Sequence, residues 1–173
     1  MDSIFNPSVA IILVNWNGYL FTKACIKSLV MIDYSAFQII LVDNGSENFE
    51  GQKLKKEFPE IDLIENGKNL GFAGGNNVGI RRALEEGFSY VMLLNNDTEV
   101  EANFLEEMIS KFQSNPKLGM VQPLIFFLHE RNKIWSAGGS WNSFLGRAIT
   151  VGDRKTIKSI DLKDGEIDWA TGC

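Results

Sequence analysis

Four short apolar runs, each cut off by asparagine or a carboxylate, constrain this chain more than any other feature. VAIILV (9–14) ends in Asn15-Trp16-Asn17, and FQIILV (37–42) ends in Asp43-Asn44-Gly45-Ser46. The shorter IDLI (61–64) ends in Glu65-Asn66, and YVMLL (90–94) ends in Asn95-Asn96-Asp97. A continuous, β-branched apolar run is the pattern of a strand covered on both faces. The intervening segments change to helical period. Residues 19–31 suit a helix with Phe21, Ala24, Cys25, Ser28 and Leu29 along one face. Residues 49–58 form a short amphipathic stretch stopped by Pro59. Helices are also expected over 76–88, carrying Val78, Ile80, Ala83 and Leu84, and over 102–112.

Strands alternating with helices imply right-handed crossovers, a mainly parallel central sheet and helices on both faces. A fifth strand is expected at 118–122, and PLIFFL (123–128) also reads as a buried strand. After residue 122 the pattern loosens around Trp135, Gly138, Gly139, Trp141 and Gly146, which implies an irregular or antiparallel extension.

In a parallel sheet the four strand ends lie along one edge. Ligands of open α/β sheets bind outside that edge, where strand order reverses. One Asn-rich end is a turn, since Asn and Asp bond their own backbone. Four of them, with carboxylates at the second and fourth, point to a site. NLGFAGGNNVGI (69–80) adds Gly71, Gly74 and Gly75 ahead of the expected helix. Freed amides and a helix N-terminus favour an anion such as phosphate. The G-x-x-G-G spacing is neither the dinucleotide fingerprint nor a P-loop. On that spacing alone, a glycine loop packed tightly on the sheet is an equal alternative.

Charge and cysteine content exclude other classes. The 22 acidic and 17 basic residues leave a formal charge of −5, which argues against a nucleic-acid backbone as partner. Cys25 and Cys173 have neither metal-ligand spacing nor a disulfide pattern, and a reducing cytosol fits them. The first residues lack the pattern of a signal peptide, and the apolar runs are too short to span a bilayer. A cytoplasmic protein is expected, with peripheral contact at the inner face of the membrane left open.

The segments VAIILVNWNG, ILVDNGS, NLGFAGGNNVGI and LLNNDTEV, in this order, resemble family 2 glycosyltransferases, nearest to the rhamnosyltransferase-like branch. DWATGC (168–173) resembles the segment leading into that family's acceptor half. The resemblance implies a GT-A fold, a Rossmann-like sandwich, with residues 1–125 as donor-binding core and 126–173 opening the acceptor side. It implies inverting transfer of a sugar, as in polysaccharide biosynthesis. The donor would be a nucleoside diphosphate sugar, dTDP-rhamnose first and UDP-sugars second, and the acceptor a glycan or lipid-linked glycan.

The same resemblance assigns roles to residues. Asp43 matches the carboxylate that accepts from a pyrimidine ring N–H. Asn15 and Asn17 match the first loop around the nucleoside. Asn69, Gly71, Gly74, Gly75 and Asn76 match the loop near ribose and diphosphate. Asn95, Asn96 and Asp97 stand in the place of the D-x-D motif, with Asp97 as ligand to Mg²⁺ or Mn²⁺. One carboxylate, substrate phosphate and water can suffice for such a hard cation. The family's general base lies beyond the segment matching DWATGC, so the chain is expected to be the donor part of a longer enzyme, slow or inactive alone.

Asp153, Asp161, Asp164, Glu166 and Asp168 read as solvated loop charges, and His129 as a surface residue. Trp135 and Trp141 suit either a sugar-stacking wall or core packing. Arg81 and Arg82 suit a helix surface. Two rivals remain: a non-catalytic nucleotide-sugar-binding module, and a nicotinamide dehydrogenase, disfavoured by the missing fingerprint.

Overall fold

A computed structural model describes residues 6–161 and 163–171. The described residues divide into two compact units, 6–102 and 103–171.

The first unit is a four-stranded sheet of order β3-β2-β1-β4, formed by β1 (Val9–Asn15), β2 (Phe37–Asp43), β3 (Asp62–Glu65) and β4 (Tyr90–Leu94). Every pairing is parallel. Order reverses at β1. The chain steps outward through β2 and β3, then crosses back to place β4 on the other side of β1. Helices α1 (Tyr19–Leu29) and α2 (Glu50–Glu57) cover one face, and α3 (Gly71–Glu85) the other. That division follows from right-handed crossovers running in opposite directions.

The core explains the apolar runs. Ala10, Ile12, Ile40, Val42 and Ala83 form a buried cluster, with Val14, Ile64, Val78, Ile80 and Phe88 packed around it. Val9, Ile11, Leu13, Ile39 and Leu41, the alternate positions, are equally buried. Alternation of side chains along a strand sends these two sets to opposite faces. Both faces are covered, so both sets are apolar.

Two local expectations change. Helix α1 buries Thr22, Cys25, Ile26 and Leu29, whereas Phe21 is 63% exposed and Ala24 is also exposed. Thr22 takes the inward place because its hydroxyl has a buried partner at the end of β1. Helix α3 begins at Gly71 rather than residue 76, so the glycine segment is the helix's own first turns. The reason is close packing on the sheet. A Cβ at Gly75 would lie 2.8 Å from a Val14 methyl, and one at Gly79 would lie 2.5 Å from an Ile12 methyl. Gly79→Val is therefore expected to destabilise the fold by about 1–3 kcal/mol through overpacking. Chemical denaturation would measure it, and an unchanged midpoint would contradict the packing account.

The second unit contains α4 (Phe104–Ser114) and two antiparallel pairs. β5 (Ile125–Phe127) pairs with β6 (Glu130–Ser136), and β7 (Gly139–Asn142) pairs with β8 (Arg147–Thr150). The extension after residue 122 is thus antiparallel, as expected. The strand expected at 118–122 is absent, because the segment carries Gly119, leaves Met120 70% exposed and has no partner strand. The strand forms just downstream, inside PLIFFL, where Phe126 pairs with Ile134. Gly139 is required by Trp169, whose indole lies where a Cβ would stand, 1.8 Å away.

Candidate functional site

Register places the four strand ends level. Asn15 pairs with Asp43, Asp43 with Glu65, and Leu13 with Leu94. Asn15, Asp43-Asn44, Glu65-Asn66 and Asn95-Asn96-Asp97 therefore share the carboxyl edge, beside the point where strand order reverses. The N-terminus of α3 follows β3 at the same edge.

Most of the polar side chains here hold one another. Asn15 is fully buried and uses its whole amide. Its Oδ1 accepts from Thr22 Oγ1 at 2.6 Å, while its Nδ2 donates to Ser46 Oγ at 2.9 Å and Glu50 Oε2 at 3.0 Å. Asn96 Nδ2 donates in turn to Thr22 Oγ1 at 2.8 Å. One chain of bonds thus runs from the end of β4 through α1 and β1 to the start of α2. Glu50 Oε2 also accepts from the Tyr19 amide at 3.1 Å, at the head of α1.

Asp43 is 5% exposed. Its two oxygens accept from the Ser46 and Gly51 amides, each at 2.7 Å. Gly51 lies in the first turn of α2, so Asp43 serves that helix as a cap. Asn44, 2% exposed, is the hub of the next loop. Its Oδ1 accepts from Asn66 Nδ2 and the Leu70 amide, while its Nδ2 donates to Asn69 Oδ1 and the Gly71 carbonyl. Asn69 Oδ1 accepts in addition from the Gly71 amide at 2.7 Å. Together these bonds set where α3 begins.

The remaining expected residues divide by exposure. Asn17 is exposed, adopts a left-handed φ of 51°, and accepts from the Glu47 amide, tying the first loop to the second. Gly71 has a φ of 74° and open space around it, whereas Gly74 and Gly75 pack on Leu70 and Val14. Asn76 is buried within α3 and donates to the Phe72 carbonyl. Asn95 is half-buried, its carbonyl accepting from the Thr98 amide. Asp97 is exposed, and its carboxylate takes no hydrogen bond or ion pair among the described residues. No cluster of three or more His, Cys, Asp or Glu side chains able to hold a metal exists among the described residues.

Sequence reasoning missed Thr22 and Glu50, and it gave Asn44, Ser46 and Asn66 a place at the strand ends but no individual role, although all five carry the network. It also missed Trp16 and Phe49, 57% and 71% exposed on the loops after β1 and β2. Phe49 holds a left-handed φ of 56°, directly after Asn48 at 58°. A positive φ is uncommon for a bulky side chain and marks a conformation fixed by its surroundings. Nothing in local sequence signals it.

Other residues fall outside the edge. Cys25 is buried, and burial, with the Asp97 and Glu99 charges adding, pushes its thiol up to about 12, so it is no nucleophile. Arg82 is half-buried on α3, paired with Asp62 and Glu86, each at 2.8 Å. In the second unit Asp161 pairs with Lys163, Asp164 with Lys111, and Asp168 accepts from the Trp141 amide. Trp135 lines a shallow cavity of about 210 Å³ with Asp153 and Trp169, and Trp141 is 55% exposed, so neither Trp135 nor Trp141 is a core residue. His129 is exposed in a turn.

A profile of Glycosyl transferase family 2 matches residues 10–162. The chain belongs to glycosyltransferase family 2. Among curated relatives of this chain, a low-salt glycan biosynthesis hexosyltransferase of Haloferax volcanii is 32% identical over 107 residues, 61% of this chain and 33% of its own. A poly-β-1,6-N-acetyl-D-glucosamine synthase of Staphylococcus epidermidis is 29% identical over 118 residues, 65% of this chain and 27% of its own. The chain thus spans a third or less of the length of these relatives. Two solved structures share its fold. S. aureus TarS 1-349, in complex with UDP-GlcNAc, superimposes with a TM-score of 0.56 at 18% identity, covering 72% of this chain and 42% of that one. A mannosyltransferase from Pyrobaculum calidifontis, in complex with GDP-Man and Mn²⁺, gives 0.59 at 18% identity, covering 67% and 35%.

Proposed function

We propose that the carboxyl edge of the first unit binds a nucleoside diphosphate sugar and that the chain supplies the donor side of an inverting transfer to a glycan or lipid-linked acceptor. The observation that carries this reading is the alignment of four polar strand ends beside the reversal of strand order. The nucleotide-sugar complexes of the structural neighbours support it. The donor is a pyrimidine nucleotide sugar, dTDP-rhamnose ahead of UDP-sugars; the resemblance of the motifs to the rhamnosyltransferase-like branch supports that order.

Roles follow from exposure. Trp16 and Phe49 offer apolar faces for a base or ribose. The diphosphate lies toward the first turn of α3, where the helix dipole favours an anion. Buried Asn15 and Asn44 and half-buried Asn96 hold the loops in place. Asp43 keeps lone pairs beyond the two in use and can accept from a base N–H at the carboxyl edge.

A hard divalent cation fits Asp97. The carboxylate is exposed and takes no partner among the described residues, and Mg²⁺ or Mn²⁺ needs only one or two protein carboxylates when phosphate and water complete its shell. When bound, the cation offsets charge that gathers on the diphosphate as the sugar leaves. Titration calorimetry with UDP, dTDP and GDP, each with and without chelator, tests the reading. UDP and dTDP are expected to bind more tightly with Mg²⁺ or Mn²⁺, and Asp97→Ala to remove most of that gain. Equal affinities with and without chelator would refute the metal role, and no binding of any nucleotide would refute the site.

A further inference from the structure

The second unit holds a cavity of its own, of about 210 Å³, lined by Trp135, Ser136, Thr150, Asp153, Trp169 and Thr171. Pockets that enclose a whole drug-sized ligand run to about 300–1,000 Å³, so this one suits a single ring of a larger molecule.

Two indoles supply its apolar wall. Trp135 lies on β6 and is 37% exposed. Trp169 is fixed through its backbone: its carbonyl accepts from the Gly139 amide at 3.0 Å, and the Asp168 amide donates to the Gly139 carbonyl at 2.9 Å. Three of its indole atoms lie 1.8–2.3 Å from where a Gly139 Cβ would stand, so the ring rests on bare backbone. That placement leaves Trp169 Nε1 buried without a hydrogen-bond partner among the described residues. Buried donors left unsatisfied are rare in folded proteins and call for an explanation. Use of the ring as a binding surface supplies one.

The polar groups are arranged to meet hydroxyls. Ser136 Oγ accepts from Gln122 Nε2 at 3.3 Å and from the Gly138 amide at 3.1 Å. With both lone pairs in use, its own hydrogen goes to Thr171 Oγ1 at 2.9 Å. The Thr171 hydroxyl hydrogen then has no acceptor among the described residues. Asp153 is exposed, and its carboxylate takes no hydrogen bond or ion pair among the described residues. The cavity thus offers one free donor, one free acceptor pair and two aromatic rings. A pyranose answers all three, since its C–H faces lie on aromatic rings and each hydroxyl both donates and accepts. An unpaired carboxylate disfavours phosphate, which rules against a nucleotide. We propose that this cavity is a saccharide subsite that stacks one neutral pyranose of the glycan acceptor on Trp135 and holds its hydroxyls with Asp153 and Thr171. This deepens the proposed transfer, and rests on that reading for its part in the reaction but not for binding.

The test follows the indole N–H resonances of the ¹⁵N-labelled chain, whose four tryptophans are assigned by single Trp→Phe variants. The probes are methyl α-rhamnopyranoside, methyl α-mannopyranoside, methyl N-acetyl-β-glucosaminide and choline. At least one glycoside should shift the Trp135 and Trp169 resonances and leave that of Trp16 in place. Trp135→Ala should weaken that binding by about tenfold or more, since a stacking face is lost. Asp153→Asn should weaken it by about fivefold or more, since a charged acceptor is lost. Both side chains reach solvent, so the rest of the spectrum should match the parent. No shift with any glycoside, or either variant binding as the parent does, would overturn the proposal. So would shifts with choline alone, because a cation held by rings and a carboxylate would then be the occupant. Nucleotide titration reports on the carboxyl edge and glycoside titration on this cavity, so each reading can fail without the other.

Discussion

Asp43→Ala is expected to lower the stability of the folded chain by about 3–5 kcal/mol. The carboxylate is 5% exposed and accepts two backbone amides, those of Ser46 and Gly51, each at 2.7 Å. Alanine leaves the buried Gly51 amide and the half-buried Ser46 amide without acceptors, at about 1–3 kcal/mol apiece, and removes the anion from the first turn of α2. Asp43→Asn keeps one acceptor oxygen and should lose about half as much. Urea denaturation of the three proteins measures the series. The asparagine variant also separates the two tasks proposed for this residue. If Asp43 accepts from a pyrimidine N–H as well, the folded Asn variant should bind dTDP more weakly, while GDP binding stays at its own level. An alanine variant as stable as the parent would show that neither amide depends on the carboxylate.

That double duty bears on what the sequence makes legible. Strands β1 and β2 are readable because a strand covered on both faces has no polar position to interrupt it, whereas β4 carries the same apolar run with Val91 and Leu93 37% and 39% exposed on one face. The parallel order and the shared edge follow from that reading. The inward face of α1 is not readable by hydropathy, because Thr22 points inward to satisfy Asn15 while Phe21 points out. A buried hydrogen-bond network reverses the pattern at the residues that form it. The glycine segment misleads in a related way. Glycine is the weakest helix former apart from proline, so Gly71, Gly74 and Gly75 read as loop. Contact with Val14 and Ile12 outweighs propensity, and the helix starts at Gly71.

The site shows the same division. The asparagines at the strand ends stand out as a set, and their alignment confirms that they share an edge. Their partners depend on loops meeting across the edge, such as Asn15 with Glu50, 35 positions away, and Asn96 with Thr22, 74 positions away. No local pattern carries that information. At the end of β4, Asp97 is exposed while Asn95 and Asn96 are half-buried, a difference that no spacing rule signals.

The network makes a strong demand on one atom, the Asn15 amide nitrogen. Asn15→Asp preserves shape and exchanges that donor for an oxygen. The introduced carboxylate would lie about 3 Å from Glu50 Oε2, in place of the hydrogen bond now at 3.0 Å, at a position with no solvent exposure. Ser46 Oγ would still have a hydrogen to give, and Thr22 would still donate, so two contacts survive while the third becomes a repulsion between like charges. An uncompensated buried charge of this kind is expected to destabilise the fold by about 3–5 kcal/mol at neutral pH. The pH dependence follows from the same cause. Burial and the neighbouring carboxylate raise the folded-state pKa of the introduced group above its unfolded value of about 3.9. The deficit is full above the raised pKa and shrinks as pH falls toward the unfolded value, because the folded state then binds the proton more readily. Asn15→Ala, which removes donor and acceptor without adding charge, should lose stability with little dependence on pH between those limits. Urea denaturation of parent and both variants across that range decides the matter. A deficit for Asn15→Asp that does not change with pH, or one no larger than that of Asn15→Ala, would mean that water or a loop movement relieves the charge and that the edge is less closely packed than its hydrogen bonds imply.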